Sequence, residues 1–205
     1  MKTIATLLAT FATITLGHAA PVVLFDGKTF NGFEGDMEKT WRIEDGAIVG
    51  GSLNATVPHN EFLATKKSYA NFELRLKFKL VGSEGFVNGG VQFRSRRIAN
   101  HFEMIGYQAD IGDGYYGSLY DESRRNKILA AADKDVLAKA LKPGEWNDYR
   151  IRCEGRHIQL WINGAQTVDY TEPDEQIEQT GLIALQIHGG AKAEASYKDI
   201  VIEEL

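Results

Sequence analysis

From residue 22 onward, apolar side chains recur at every second position, in short runs separated by Gly, Asn and Asp. In residues 72–80, Phe72, Leu74, Leu76, Phe78 and Leu80 fall on one side while Glu73, Arg75, Lys77 and Lys79 fall on the other. A strand satisfies that period and a helix does not. Trp41-Arg42-Ile43 and Ala47-Ile48-Val49 flank Glu44-Asp45-Gly46, and residues 158–162 and 166–170 flank Asn163-Gly164. Asp-Gly and Asn-Gly favour tight hairpin turns, so antiparallel pairing follows. Further strands are expected at residues 91–96, 102–111, 181–188 and 197–203. One short helix is expected around residues 127–141, where Ala and Leu dominate, inside a long insertion between Tyr120 and Pro143. So many strands and so little helix imply an all-β chain folded as a two-sheet antiparallel β-sandwich.

Two features bound where such a chain works. Met1 and Lys2 precede an apolar stretch at residues 3–16, and Gly17-His18-Ala19-Ala20 supplies small residues for cleavage, so residues 1–20 read as a signal peptide and residues 21–205 as a single domain. The apolar stretch is shorter than the roughly 20 residues a spanning helix needs, and no later segment is apolar enough to cross a bilayer. The expected location is periplasmic or extracellular. The formal net charge of -5 gives no basic patch for a polyanion, so nucleic acid is not an expected partner. Cys153 is the only cysteine, which excludes an intrachain disulfide. Its alternation with Arg150 and Arg152 turns it inward as a structural thiol.

The same alternation sorts the polar groups. Beside the inward Val91 and Phe93, residues Gln92, Arg94 and Arg96 share the opposite face; Gln108 and Asp110 share one, and so do Gln186 and His188. Amides and guanidinium forks make the directional bonds that read sugar hydroxyls. The segment from Gly112 to Arg125 packs three glycines, three tyrosines, three acids and two arginines into one loop region. Glycines allow close backbone approach, and Tyr116 and Tyr120 offer faces for a sugar ring, with Glu122 nearby.

Seven blocks in order carry a family resemblance: residues 24–30, 62–80 (FLATKKSYANFELRLKFKL), 88–94, 106–120 (GYQADIGDGYYGSLY), 144–147, 181–190 (GLIALQIHGG) and 197–205 (YKDIVIEEL). They resemble the DUF1080 family, described as 3-keto-disaccharide hydrolases. The resemblance implies a jelly roll of the concanavalin A-like lectin/glucanase type, and cleavage of a glycosidic bond after a separate partner oxidoreductase has oxidised the sugar at C3. It also adds Asn60 and Glu103 as candidate site residues. The chain departs from the family where Gln108 stands in place of a frequent Glu, and in the length of its insertion at residues 121–133. The Glu-x-Asp-x-x-Glu strand used by fold relatives that hydrolyse β-glucans is missing; in the nearest string, residues 172–178, the spacing is wrong and Pro173 is unsuited to a central strand.

A ketone at C3 acidifies the C2 hydrogen, so elimination of the C1 substituent followed by hydration needs a base, an acid and a group to hold the enolate. His188 is the preferred base or acid and Arg94 the preferred clamp, with Gln92, Gln108 and Gln186 reading hydroxyls and Arg96 nearer the strand end. Asp110 could serve as base, as orienter of His188 or as a metal ligand. Asp110, Asp113, Asp121, Glu122 and His188 could supply ligands for calcium, manganese or zinc, although no compact motif is present. The alternative from another class is a non-catalytic carbohydrate-binding module, which would show a shallow groove without a convergent base.

Overall fold

The computed structural model describes residues 20–205; the expected signal peptide lies outside these apart from Ala20. The chain runs through β1 (Val22–Val23), β2 (Phe33–Glu34), β3 (Trp41–Glu44), β4 (Ala47–Ser52), β5 (Glu61–Thr65), β6 (Phe72–Glu84), β7 (Asn88–Arg97) and β8 (Met104–Gly112). There follow β9 (Leu119–Glu122), β10 (Lys127–Ala130), α1 (Lys134–Ala140), β11 (Asn147–Glu154), β12 (His157–Ile162), β13 (Ala165–Thr171), β14 (Leu182–Ile187) and β15 (Lys192–Glu204). All strand pairs are antiparallel. One sheet has the order β13-β12-β11-β6-β15-β4-β3, with β1 added on β15, and the other has the order β10-β9-β8-β7-β14-β5-β2.

The hairpins form where the dipeptides call for them. Asp45 and Gly46 take φ of 49° and 72°, and Asn163 and Gly164 take 49° and 83°. Two successive left-handed residues match the right-handed twist of the flanking strands. Between the sheets, Leu74, Leu76 and Phe78 of β6 meet Val91 and Phe93 of β7, Leu185 of β14 and Tyr197 of β15. Each fully buried side chain of this kind contributes roughly 1.5–3 kcal/mol. Cys153 belongs to this core, and burial pushes its thiol up to about 12. It is a small apolar group there, not a nucleophile.

Two segments differ from expectation. Residues 127–141 do not form one helix, because Lys127 and Ile128 pair with Asp121 and Tyr120 at the sheet edge. Ladder pairing outweighs the helix propensity of Ala and Leu at that point. The helix starts only after Asp133, whose Oδ1 accepts from the N–H groups of Asp135 and Val136 at 2.8 and 3.0 Å, an N-cap worth about 1 kcal/mol. The second departure is in β7, where the register with β8 shifts between Phe93 and Arg96 and Arg94 takes a φ of 49°. This bulge takes Arg94 off the face it would share with Gln92.

Candidate active site

Strands β7, β8 and β14 lie near the middle of the seven-stranded sheet, with β9 beside β8. Directly paired residues share a face, and the register sets Gln92 against Gln108 and Ala184, Gln108 against Tyr120, and Gly90 against both Asp110 and Gln186. All these side chains therefore stand on the outer face, while Val91, Ala109 and Leu185 fill the core behind them. Gly90 makes room there, since a Cβ at that position would lie 2.7 Å from Cγ and Cδ of Gln108.

A pocket of about 220 Å³ opens on this face, lined by Phe86, Asn88, Gln108, Asp110, Tyr115, Tyr120, Glu122 and His188. Asp110 is 3% exposed, and its Oδ1 accepts from Asn88 Nδ2 and from the Ile111 N–H, each at 2.9 Å. Burial pushes its carboxyl up to about 7 despite these bonds and that of Gln108. Glu122 is likewise raised to about 7, first by burial and then by the charges of Glu103 and Asp110. Both carboxyls thus exchange protons near neutrality, where a general acid works best.

His188 follows β14, and its ring stands edge-on to Phe86 with centroids 4.8 Å apart. Its Nδ1 lies 2.7 Å from the Gly189 carbonyl oxygen. A carbonyl can only accept, so Nδ1 carries the hydrogen and the neutral ring keeps its lone pair on Nε2. Asn60 holds the turn that carries this histidine: its Oδ1 accepts from the Gly189 N–H at 2.9 Å and its Nδ2 donates to Glu103 Oε1 at 2.8 Å. Burial raises the Glu103 carboxyl, against the opposing influence of Asn60 and His188.

The amides are unusually uncommitted. Gln92 and Gln186 are 0% exposed, yet neither Nε2 nor Oε1 of either has a partner; Gln108 Oε1 and Glu103 Oε2 are also unpaired. Buried polar atoms without partners are costly, and these glutamines stand on the sheet face that carries the pocket. By contrast, a groove of about 340 Å³ on the other sheet is walled by Arg75, Lys77, Asp148, Arg150 and Trp161. Its charges are already taken up, as in the Lys77–Asp148 and Arg150–Glu73 pairs at 2.6 and 2.8 Å.

Of the expected site residues, Gln92 and Gln186 share the sheet face without lining the pocket, Asn60 and Glu103 brace the turn of His188, and three more lie elsewhere. Arg94 turns away from the pocket: its Nε and Nη2 donate to the Ala70 carbonyl at 2.9 and 2.7 Å and its Nη1 to Gln179. Arg96 is exposed and pairs with Ile105, on the side opposite Gln108. Tyr116 stacks on Phe78 at 6.3 Å and lines a neighbouring groove with Tyr115. Asp121 is also withdrawn, fully buried against Arg124 and Arg125. Among the described residues no group of three or more His, Cys, Asp or Glu side chains is placed to hold a metal ion.

Phe86, Asn88 and Tyr115 complete the pocket without having been expected there. Asn88 was legible, since it precedes Gln92 by four positions on the same strand face. Phe86 lies in the turn before β7, where no period applies.

Residues 20–203 match the family described as 3-keto-alpha-glucoside-1,2-lyase-like domains. The chain belongs to this family. Membership makes it a carbohydrate-active protein. No curated protein matches the chain. Among solved structures, it resembles a glycosyl hydrolase candidate from Parabacteroides distasonis, at 22% identity and a TM-score of 0.67, over 90% of this chain and 94% of that one. It also resembles a carbohydrate-binding module from Bacillus subtilis (14% identity, TM-score 0.65, 84% and 96% covered). A third likeness is to the β-glucanase of Bacillus licheniformis (9%, 0.56, 93% and 100%). These similarities establish the concanavalin A-like jelly roll.

Proposed function

We propose that the protein cleaves the glycosidic bond of 3-keto-glucosides by elimination and hydration, acting after export on a substrate supplied by an oxidoreductase that oxidises sugars at C3. The observation that carries this reading is the convergence of His188, Asp110 and Glu122 on one pocket that also presents the unpaired Gln108 Oε1. His188 Nε2 takes the C2 hydrogen as a proton, and the electron pair delocalises onto the C3 oxygen. The pair returns to form the C1–C2 double bond as the C1–O bond breaks, and the departing oxygen takes a proton from the carboxyl of Asp110 or Glu122. Water then adds, hydroxyl to C1 and hydrogen to C2. With Arg94 directed elsewhere, stabilisation of the enolate falls to donors that line the pocket, the amide of Gln108 and the hydroxyls of Tyr115 and Tyr120.

The pairing of Asp110 with Glu122 in one pocket also suits a second reading, direct hydrolysis of an unoxidised glucoside. That chemistry needs one carboxylate held ionised as nucleophile or base, whereas burial raises both here. Incubating the purified protein with a 3-keto-glucoside and with its unoxidised parent separates the readings. Release of the aglycone from the keto sugar alone is expected; equal release from both would replace elimination by direct hydrolysis.

A further inference from the structure

The glycine–tyrosine loop after β8 has two sides. On one, Tyr115 lines the polar pocket; on the other, it lines an adjoining groove of about 540 Å³ closed by the segment from Ala131 through α1 to Pro143. At about 220 Å³ the polar pocket falls below the roughly 300–1,000 Å³ of complete ligand sites, so it takes a sugar ring and leaves the rest of a glycoside outside. The adjoining space differs in chemistry. Tyr115, Tyr116, Leu137, Ala138, Leu141 and Pro143 wall it, the charged Asp113 and Lys134 that also line it are exposed to water, and the Ser118 hydroxyl is committed, accepting from the Ala132 N–H at 3.1 Å. No buried polar side-chain atom left without a partner among the described residues belongs to this groove.

We infer that this groove is the aglycone subsite and that the leaving group it takes is a flat aromatic one. The inference rests on the sugar-site reading of the polar pocket. A second sugar would bring hydroxyls to walls that offer, besides the exposed and solvated charges of Asp113 and Lys134, two phenol groups, and would regain little of the hydration it loses. An aryl ring instead buries its faces against Tyr115, Tyr116 and the aliphatic side of α1. The segment from Ala131 to Pro143 thus sets which glycosides the protein accepts.

The test uses the full chain and two unoxidised ligands that differ only in aglycone, methyl and 4-nitrophenyl α-glucoside, titrated calorimetrically. The aryl glucoside is expected to bind on the order of tenfold or more tighter, from the apolar area it buries. Ala138→Trp places an indole in the groove from an exposed helix position, so it is expected to remove the aryl advantage while leaving the affinity for the methyl glucoside and the melting temperature unchanged. Equal affinity for the two glucosides, a loss shared by both in Ala138→Trp, or no measurable binding of the aryl glucoside would overturn the subsite. Turnover of the two 3-keto derivatives is read separately: failure of both to react removes the proposed reaction, and the binding comparison still decides the groove.

Discussion

At His188 and Asp110 the demands of chemistry and of stability diverge. His188 contributes little to the core, so His188→Ala is expected to lower turnover of a 3-keto-glucoside by roughly a hundred- to ten-thousand-fold with thermal unfolding within about 0.5 kcal/mol of native. Near-native turnover would make the histidine a bystander. Asp110 is different, because its folded-state carboxyl is raised from 3.8 to about 7. The folded protein binds that proton more tightly than the unfolded chain, so the associated stability is fully present below about pH 4 and is lost as pH rises through about 7. The loss reaches as much as about 4 kcal/mol. Asp110→Asn keeps an acceptor for Asn88 and removes this ionisation, so it is expected to lower turnover while raising the melting temperature at pH 8 more than at pH 4; equal shifts at both would contradict the assignment. Arg94 makes the reverse case. Arg94→Ala leaves the Ala70 carbonyl without its guanidinium and is expected to cost about 2–4 kcal/mol in denaturant unfolding, with KM for the sugar unchanged.

Among the elements, alternation was a sound guide wherever the strand stayed regular. Phe72 to Leu80, Gln108 with Asp110, and Gln186 with His188 all fall on the faces their spacing assigns. It failed at Arg94 because a bulge inserts one residue through a local backbone twist, and no period in the side chains announces it. It could not separate Tyr115 from Tyr116 either, since loop conformation decides which ring faces the pocket. The arginines of the same region turned out to brace the fold. Arg125 joins Asp121 on β9 to Glu172 at the end of β13, and Glu172 Oε2 also accepts from the Tyr107 hydroxyl at 2.7 Å. Glu172→Gln is expected to cost about 2 kcal/mol at neutral pH, read by denaturant midpoint, because it removes the charge from a fully buried carboxylate bonded by Arg125 and Tyr107.

Over the whole molecule, that network and the pocket respond to pH with opposite sign. Burial opposes ionisation of Glu172, but Arg125 and Tyr107 outweigh it and hold the carboxyl down to about 2 from 4.5. Its stabilisation is present above about pH 4.5 and disappears as pH falls through about 2. Acid unfolding is therefore expected to begin below about pH 4 in the native chain and to lose its steepest part in Glu172→Gln; an unaltered acid limb in that variant would show that other carboxylates govern it. One hydrophobic core serves both sheets, and its sole thiol is buried in it.

The order of strands in the seven-stranded sheet carries a kinetic consequence. β14, built from residues 182–187, inserts between β5 and β7, whose residues lie about a hundred positions earlier in the chain. Closing loops of that length is slow compared with forming the hairpins β3–β4 or β12–β13. Until β14 docks, Gln186 and His188 have no strand to place them beside Asp110. In refolding from denaturant, aglycone release should thus reappear only with the slowest phase, after the fluorescence and circular dichroism of the hairpins have largely recovered, which makes the proposed reaction the clock for the last strand's arrival.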